Sequence, residues 1–306
     1  MHFYIIRRLL QAIPVLLIVT IIVFSLLHFL PGCPASSILG EEASSADIQR
    51  LREAMGLNRP VYIQYLDWVS GLIQGDFGTS LRDGREVFPT LMRRLPATIH
   101  LLIFSMIISI SIGIPVGVLS AVKQNSPLDY FSRVFALLGI SIPNFWLGLM
   151  LMLLFAYYLQ WLPPSGRGTI AHLIMPSIAL GTSSAGLITR LTRSSLLEVI
   201  RTDYIRTARS KGLRERKVIY GHALKNALLP VTTVIGLQMG YRLGGSIVTE
   251  AVFSYPGIGN FTYQRLLSRD MPVVMGNLFL FASMFVVINL ITDITYGFLD
   301  PRIRYD

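Results

Sequence analysis

Four polar residues recur at every fourth position along one apolar stretch, Leu228–Thr249, and at its end. They are Gln238, Arg242, Ser246 and Glu250. This spacing puts them on one face of a helix. Ionisable groups inside a membrane are costly and normally face a water-filled path or a partner group. The pattern fits a translocation path lined by these side chains. It also fits an ion pair, either Arg242–Glu250 or interhelical, with Glu250 at the membrane edge.

Three glycines lie on the other side of the same helix. Gly236, Gly240 and Gly244 repeat every four residues and are offset from the polar set by two positions, about 200° around the helix. Small residues at this spacing let two helix backbones approach closely in a membrane. We therefore predict that this face packs against another helix.

Three further residues have open roles. Asn289 and Asp293 form a similar polar pair in the last apolar run. A structural tie from Asp293 to an inner-loop arginine and a part in transport are both open. Cys33 is the only cysteine, so the chain can form no internal disulfide, and a small packing residue is the simplest interpretation.

The sequence lacks the usual catalytic motifs. It has no Gly-x-x-x-x-Gly-Lys-Ser/Thr loop for ATP, no His-Glu-x-x-His zinc motif and no Gly-x-Ser-x-Gly nucleophile motif. We therefore predict no catalytic, cofactor-binding or metal-binding residues, and a protein that is not itself an enzyme. Energy for transport has to come from an ion gradient or from a separate ATPase.

The composition is that of an integral membrane protein. Of the 306 residues 52% are hydrophobic and only 14% are charged, against about a quarter charged in soluble domains. The net charge of +10 could suggest nucleic-acid binding. The basic residues, however, concentrate beside apolar runs, which indicates contact with a lipid bilayer and not with nucleic acid.

Six apolar runs are long enough to cross a bilayer core of about 30 Å. They are Leu9–Leu30, Ala97–Val122, Val134–Leu159, Ile170–Thr189, Leu228–Thr249 and Val273–Leu299. We predict an all-α fold with six transmembrane helices. An even number of spans puts both termini on one side, and the terminal arginines indicate the cytoplasm.

The predicted spans divide the chain into four parts. Residues 1–30 form an N-terminal transmembrane helix, and residues 31–95 form an extracytoplasmic segment with helices at Asp47–Leu57 and Pro60–Ile73. Residues 96–299 form a membrane domain of five helices, and residues 300–306 form a cytoplasmic tail.

A strongly basic loop, about residues 190–228, interrupts this five-helix domain. Residues 190–225 hold ten Lys or Arg and three acids, a net charge of +7. Such an excess marks a cytoplasmic loop. Apolar residues at helical spacing occur on both sides of Gly212, which predicts a helix, a tight turn and a second helix.

This loop resembles the coupling loop of ABC-importer permeases in the dipeptide, oligopeptide and nickel branch. The matching segments are Tyr-Ile-Arg-Thr-Ala-Arg-Ser-Lys-Gly at 204–212 and His-Ala-Leu-Lys-Asn-Ala-Leu-Leu-Pro at 222–230. The resemblance extends from Arg7 and Arg8 to the Asp-Pro-Arg-Ile-Arg-Tyr segment at 300–305. The chain departs from the family at Cys33, where related permeases tend to have aspartate.

The resemblance implies a type I ABC importer transmembrane fold. It implies that the loop contacts an ATPase through seven residues: Arg206, Thr207, Ala208, Arg209, Lys211, Gly212 and Leu213. The implied partners are a second homologous permease in a heterodimer, two cytoplasmic ATPase subunits that bind ATP and magnesium, and an extracytoplasmic substrate-binding protein. The implied location is the cytoplasmic membrane of a bacterium or archaeon.

Peptides are the commonest substrates in this branch, so we predict di- or oligopeptide import, with nickel, a metal chelate or glutathione as alternatives. A different class, an ion-coupled secondary transporter, could explain Arg242, Glu250 and Asp293. That class predicts an internal half-length repeat, which the sequence lacks, and it leaves the basic loop unexplained. An intramembrane enzyme lacks a catalytic set.

Overall fold

The computed structural model describes residues 2–29, 44–54 and 56–299. Most of this part of the chain is helical, and its only strand-like pairing is an isolated bridge between Thr79 and Glu86. The predicted all-α fold is therefore confirmed for the described residues. Cys33 and the predicted tail at residues 300–306 lie outside them.

Five long helices dominate the described chain. They are α1 (His2–Phe29), α4 (Val87–Val122), α7 (Ala171–Ile200), α10 (Leu224–Val252) and α12 (Met271–Leu299). In α1, α4, α7 and α12 the length and apolar composition suffice to cross a membrane. Helix α10 has 29 residues but does not meet the same standard. Its glycines, with Gln238 and Arg242, dilute its apolar residues.

The predicted span Val134–Leu159 is broken in the structure. Helix α5 (Pro127–Ser141) ends before Pro143, and α6 (Asn144–Leu151) continues as a π-helix over Met152–Tyr158, with a bend of 103° between the two arms. Ile142, directly before the proline, has extended φ and ψ of −76° and 124°. A residue before proline is disfavoured in the helical region, and proline has no N–H for the helix ladder. If the bent pair counts as one span, the described chain offers five candidates in all.

Two helices are longer than predicted. Helix α7 continues from the predicted end at Thr189 to Ile200, so the basic loop begins inside a helix. Helix α4 begins at Val87, ten residues before the predicted Ala97. In both cases the extension is polar enough to have ended the apolar run without ending the helix.

The structure has two compact units. One comprises residues 2–98 and 256–286. It contains α2 (Ser45–Ala54) and α3 (Val61–Gln74), which confirm the two predicted helices within one to three residues, and α11 (Ile258–Leu267). Val23 and Phe24 of α1 form a small core with Met275, and Tyr65 and Trp68 of α3 pack against it.

A buried carboxylate organises the connecting segments of this unit. Asp270 accepts hydrogen bonds from Ser80 Oγ at 2.6 Å, from the Leu81 backbone N–H at 3.0 Å and from Arg265 Nη1 at 3.3 Å. Arg265 also pairs with Asp83 at 2.6 Å. The contacts fix the turn before α4 to the turn before α12.

The second unit comprises residues 99–255 and 287–306, of which the structure describes 99–255 and 287–299. Helix α7 packs against α4 at glycines. A Cβ atom on Gly113 would lie 2.7 Å from Ile188 Cγ2, and one on Gly117 would lie 2.7 Å from Thr192 Cβ. A residue with a Cβ at either position would therefore collide with α7, so the close approach of the two helices requires glycine.

Candidate functional site

The basic loop forms a short amphipathic helix, α8 (Asp203–Ser210), after the end of α7. Ile205 is fully buried and Ala208 is nearly so, while the remaining residues of α8 are exposed. The two buried positions are three apart in the sequence, so they lie on one side of the helix. Helix α8 therefore lies on the protein with one apolar side down and its charged side outward.

The core beneath α8 joins three long helices. Its buried members come from α4, α7, α8, the π-helix Val218–Ala223 and α10, and Leu213 of the turn packs against their edge. These members are Val118, Ala121, Leu196, Ile205, Ala208, Val218, Ile219, Ala223 and Ala227. Close-packed apolar contacts transmit displacement because packed interiors have little compressibility. A force on α8 would thus reach the ends of all three helices.

The turn after α8 depends on Gly212. Its φ is +73°, in the left-handed region that favours glycine, and its N–H donates to the Arg209 carbonyl at 2.9 Å. An added Cβ would meet no heavy atom within 4 Å. The need for glycine here therefore comes from the backbone conformation and not from lack of space. The predicted helix–turn–helix is confirmed at this point.

An ion pair closes this turn from the outside. Arg209 Nη2 and Nε donate to the two carboxylate oxygens of Glu215 at 2.7 and 3.1 Å. The hydrogen bonds from Arg209 lower the pKa of Glu215, and desolvation opposes the shift. The pair therefore stays charged throughout the neutral pH range. It joins α8 to the next short helix, α9 (Glu215–Lys217).

The outward side of the loop carries an excess of positive charge. Between Asp203 and Lys217 there are six basic residues and two acids, a net charge of +4. The basic residues are Arg206, Arg209, Lys211, Arg214, Arg216 and Lys217, and all six are exposed. Thr207 is also exposed, and its Oγ1 donates to the Asp203 carbonyl at 2.9 Å. Of the seven predicted contact residues, five are on this exposed side, and Ala208 and Leu213 belong to its apolar underside.

Arg242 of α10 is buried within the second unit and bonded to two other helices. Arg242 is 4% exposed; its Nε donates to Ser184 Oγ at 3.0 Å, and its Nη2 donates to Ser109 Oγ at 2.9 Å and to the Gly181 carbonyl at 3.2 Å. Arg242 thereby links α10 to α4 and α7. Its Nη1 is buried with no hydrogen-bond partner among the described residues.

The rest of the predicted polar face is less uniform. Ser246 and Glu250 are fully buried, and Ser246 Oγ donates to the Leu243 carbonyl at 2.8 Å. Gln238 is partly exposed. The structure thus brings the four residues to one side of α10, and the translocation path they were predicted to line stays a prediction.

The three predicted packing glycines of α10 differ from one another. Gly236 is buried, and a Cβ there would collide with the Thr292 side chain of α12. Gly240 is also buried, whereas Gly244 is exposed with nothing within 4 Å of an added Cβ. Only the Gly236 end of the stripe is thus shown to pack within the described chain.

A polar anchor near the loop was missed from the sequence. Asp129 of α5 is fully buried and accepts two hydrogen bonds from Arg193 of α7, at 2.8 and 2.9 Å. It also accepts from Ser120 Oγ at 2.6 Å and from the Asn125 backbone N–H at 3.0 Å. The available signal was one acid among basic residues in the short connection before an apolar run. Asn125 has φ of +61°, which fits a tight turn there.

The described residues were also compared with the ligand sets that hold metal ions. Across residues 2–29, 44–54 and 56–299, no group of three or more His, Cys, Asp or Glu is arranged to hold a metal ion.

Two family models match the chain. Residues 1–102 match the N-terminal region of binding-protein-dependent transport system membrane components, and residues 113–305 match the binding-protein-dependent transport system inner membrane component. Together these matches include both the membrane helices and the basic loop.

Several curated proteins match nearly end to end. A dipeptide transport system permease protein from Alkalihalophilus pseudofirmus is 47% identical, and an oligopeptide transport system permease protein from Bacillus subtilis is 44% identical. A glutathione transport system permease protein from Salmonella typhimurium is 42% identical. Each alignment covers 99% of this chain and 99% of the relative.

The fold also resembles a solved transporter. Two inward-facing structures of the MetNI methionine ABC transporter match with TM-scores of 0.57 and 0.60, at 21% and 22% identity. Each match covers 69% of this chain and 96% of the other chain. Identity this low bears on the fold alone, and it supports the predicted type I transmembrane fold.

The resemblance predicted from the loop is thereby confirmed for the whole chain, and the apolar helices agree with a multi-pass membrane protein. The chain belongs to the family of binding-protein-dependent transport system inner membrane components, the permease subunits of ABC importers.

Proposed function

We propose that this permease translocates di- or oligopeptides across the cytoplasmic membrane, driven by ATP hydrolysis in separate subunits. Relatives with names for dipeptide and oligopeptide transport match over 99% of the chain and support this substrate class. Glutathione is itself a peptide, and the 42% identical glutathione permease makes it the second candidate. Nickel or a metal chelate remains an alternative within the same machinery.

The observation that supports the mechanism best is the seating of α8. Ile205 and Ala208 bury its apolar side on a core shared by α4, α7 and α10, and its outer side bears exposed cations. An ATPase with an acidic docking surface would find complementary charge here. When the docked ATPase moves, α8 moves as a rigid piece with the ends of the transmembrane helices. The helices can then alternate between inward-open and outward-open arrangements.

The complete transporter in this proposal contains a second, homologous permease, two cytoplasmic ATPase subunits that bind ATP and magnesium, and an extracytoplasmic substrate-binding protein. This chain contributes six membrane spans, with α10 and the bent pair α5–α6 added to the four clear candidates. Both termini and the loop at 190–228 lie in the cytoplasm, and residues 31–95 lie outside. The membrane is the cytoplasmic membrane of a bacterium or an archaeon.

The polar side of α10 takes part in the path in this proposal. Arg242 has one buried nitrogen, Nη1, with no partner among the described residues, while its other donors are bonded to α4 and α7. Nη1 can bond to substrate, or to a group on a moving helix, while Nε and Nη2 keep their present partners. Gln238, Ser246 and Glu250 extend the same side along the helix.

The topology is tested by labelling single cysteines from outside intact cells. Ser44 and Ser210 are both exposed, so Ser44→Cys and Ser210→Cys are suitable probes in a Cys33→Ser background. We expect an impermeant maleimide to label position 44 and not position 210. Labelling of both positions would contradict the six-span arrangement.

The transport activity is tested by reconstituting the permease with its co-purifying subunits in vesicles. We expect uptake of a labelled dipeptide to require ATP and magnesium and to persist when ion gradients are collapsed. Labelled glutathione and a nickel chelate are assayed in parallel to rank the alternatives. Uptake by this chain alone, driven by an ion gradient, would instead establish a secondary transporter.

A further inference from the structure

We propose that an anionic phospholipid binds at a pocket between α5 and α7, with its headgroup at the exposed arginines of the pocket and an acyl chain against its apolar lining. The pocket has a volume of about 260 Å³, or roughly eight to nine water volumes. Its basic residues are Arg133, Arg190 and Arg193, and Ala136, Leu137 and Ile140 form its apolar wall. The proposal relies on the proposed topology, which puts this end of both helices at the cytoplasmic surface of the membrane.

The charge of the pocket favours an anion. Three arginines line it, and two of them, Arg193 and Arg133, pair with one carboxylate, the fully buried Asp129. Three positive charges and one negative charge leave a net +2. No Asp or Glu is among the residues that line the pocket. Basic pockets between transmembrane helices on the cytoplasmic side are suited to anionic lipid headgroups.

Arg190 and Arg133 are held less firmly than Arg193. Arg190 is exposed and makes no ion pair with the described residues. Arg133 is 45% exposed in its side chain and lies 3.7 Å from Asp129, beyond normal hydrogen-bond length. Its guanidinium carbon is 4.4 Å from the ring centre of Tyr130. Arg193, in contrast, is held by Asp129 and serves as a fixed part of the wall.

The surface beside the pocket suits an acyl chain. Leu137 is 63% exposed, Ile140 is 39% exposed, and Phe131 and Val134 on the same helix are exposed as well. An apolar helix surface next to a basic pocket matches an amphiphile that has an anionic head and an apolar tail. A soluble phosphate would use the arginines but gain nothing from Leu137 and Ile140. This combination therefore favours a phospholipid over a free anion.

The test compares binding of phosphatidylglycerol and phosphatidylcholine with identical acyl chains. Native mass spectrometry of the full-length chain with its co-purifying subunits counts the bound lipids. Each basic residue near a membrane surface strengthens anionic lipid binding by about fivefold, so Arg133→Gln with Arg190→Gln should weaken phosphatidylglycerol binding roughly 30-fold. Neither substitution changes Arg193 or Asp129, so the two hydrogen bonds between these residues are kept.

Two control variants sharpen the result. Arg201→Gln removes an exposed positive charge at the end of α7, outside the pocket, and should weaken lipid binding far less than Arg190→Gln alone. Leu137→Gln keeps every arginine and should weaken binding of long-chain phosphatidylglycerol while leaving a short-chain form unaffected. A loss in Arg201→Gln as large as the loss in Arg190→Gln alone would show a general charge effect and overturn the proposal.

Other outcomes are equally decisive. Equal binding of the two lipids, or unchanged phosphatidylglycerol binding in the double variant, would show that the pocket holds no anionic headgroup. Release of the lipid when an ATPase subunit docks would show that the pocket is a protein interface instead. Because lipid binding is read without transport, a failed site with normal ATP-driven uptake leaves the importer function standing. If the wild type showed no ATP-driven uptake, the importer function would be refuted and the lipid site would stand on its own binding data.

Discussion

Arg193 holds Asp129 through two hydrogen bonds, Nε to Oδ1 at 2.8 Å and Nη2 to Oδ2 at 2.9 Å, and so fastens α7 to α5. Asp129 has no exposed surface, whereas the Arg193 side chain retains 20% exposure. Two-point contacts between arginine and carboxylate fix geometry as well as charge. The contact lies near the start of α5. Arg193 is three positions before Leu196, which belongs to the core beneath α8.

The first prediction concerns this contact. Asp129→Asn leaves Arg193 without its carboxylate and should lower the free energy of unfolding by about 2–3 kcal/mol, less than for a fully buried pair because Arg193 is partly exposed. Ser120→Ala removes one hydrogen bond to the same carboxylate and should cost about 1 kcal/mol. Thermal unfolding in detergent checks the order of the two losses. A smaller loss for Asp129→Asn than for Ser120→Ala would contradict the anchoring role.

The second prediction compares two glycines of α10 with the same substitution. Gly236→Leu forces a side chain into Thr292, so it should lower the thermal stability of this subunit itself. Gly244→Leu meets no atom within 4 Å and should leave that stability unchanged. If the exposed Gly244 face packs against the second permease, Gly244→Leu should still reduce the yield of assembled complex. Normal assembly would remove this glycine from the packing face.

The third prediction concerns the guanidinium of Arg242. Arg242→Lys keeps the charge but cannot reproduce the bonds to Ser184, Ser109 and the Gly181 carbonyl together. If the polar side of α10 lines the path, transport should fall while all subunits still co-purify. Initial rates of peptide uptake, normalised to assembled complex, measure this. Loss of assembly with an unchanged rate per complex would make Arg242 a structural tie.

The long helices could be predicted because apolar runs of about 20 residues are a strong signal in one sequence. The basic loop could be predicted because its charge and Gly212 are features of neighbouring residues. The break before Pro143 could not be predicted, since proline inside membrane helices more often kinks than ends them. The Arg242 contacts depend on Ser109 and Ser184, which are remote in sequence and unremarkable in type. The same holds for Asp129 and Arg193. Such pairings arise from packing and leave no periodic trace in one sequence.

The central claim is that α8 and the turn at Gly212 couple the ATPase to the membrane helices. Gly212→Val and Gly221→Val form a matched pair, because neither added Cβ meets an atom closer than 3.9 Å and only Gly212 has positive φ. A β-branched residue is a strong outlier at positive φ, at a cost of about 1 kcal/mol or more, whereas asparagine tolerates that conformation. Gly212→Val should therefore misdirect the docking turn, and Gly212→Asn should retain more activity.

The most direct measurement is the ATPase rate of the reconstituted complex with and without substrate-loaded binding protein. We expect Gly212→Val to insert and assemble but to lose most of the stimulation and peptide uptake, while Gly221→Val keeps both. Full stimulation together with normal uptake in assembled Gly212→Val would contradict the assignment of this loop as the coupling element.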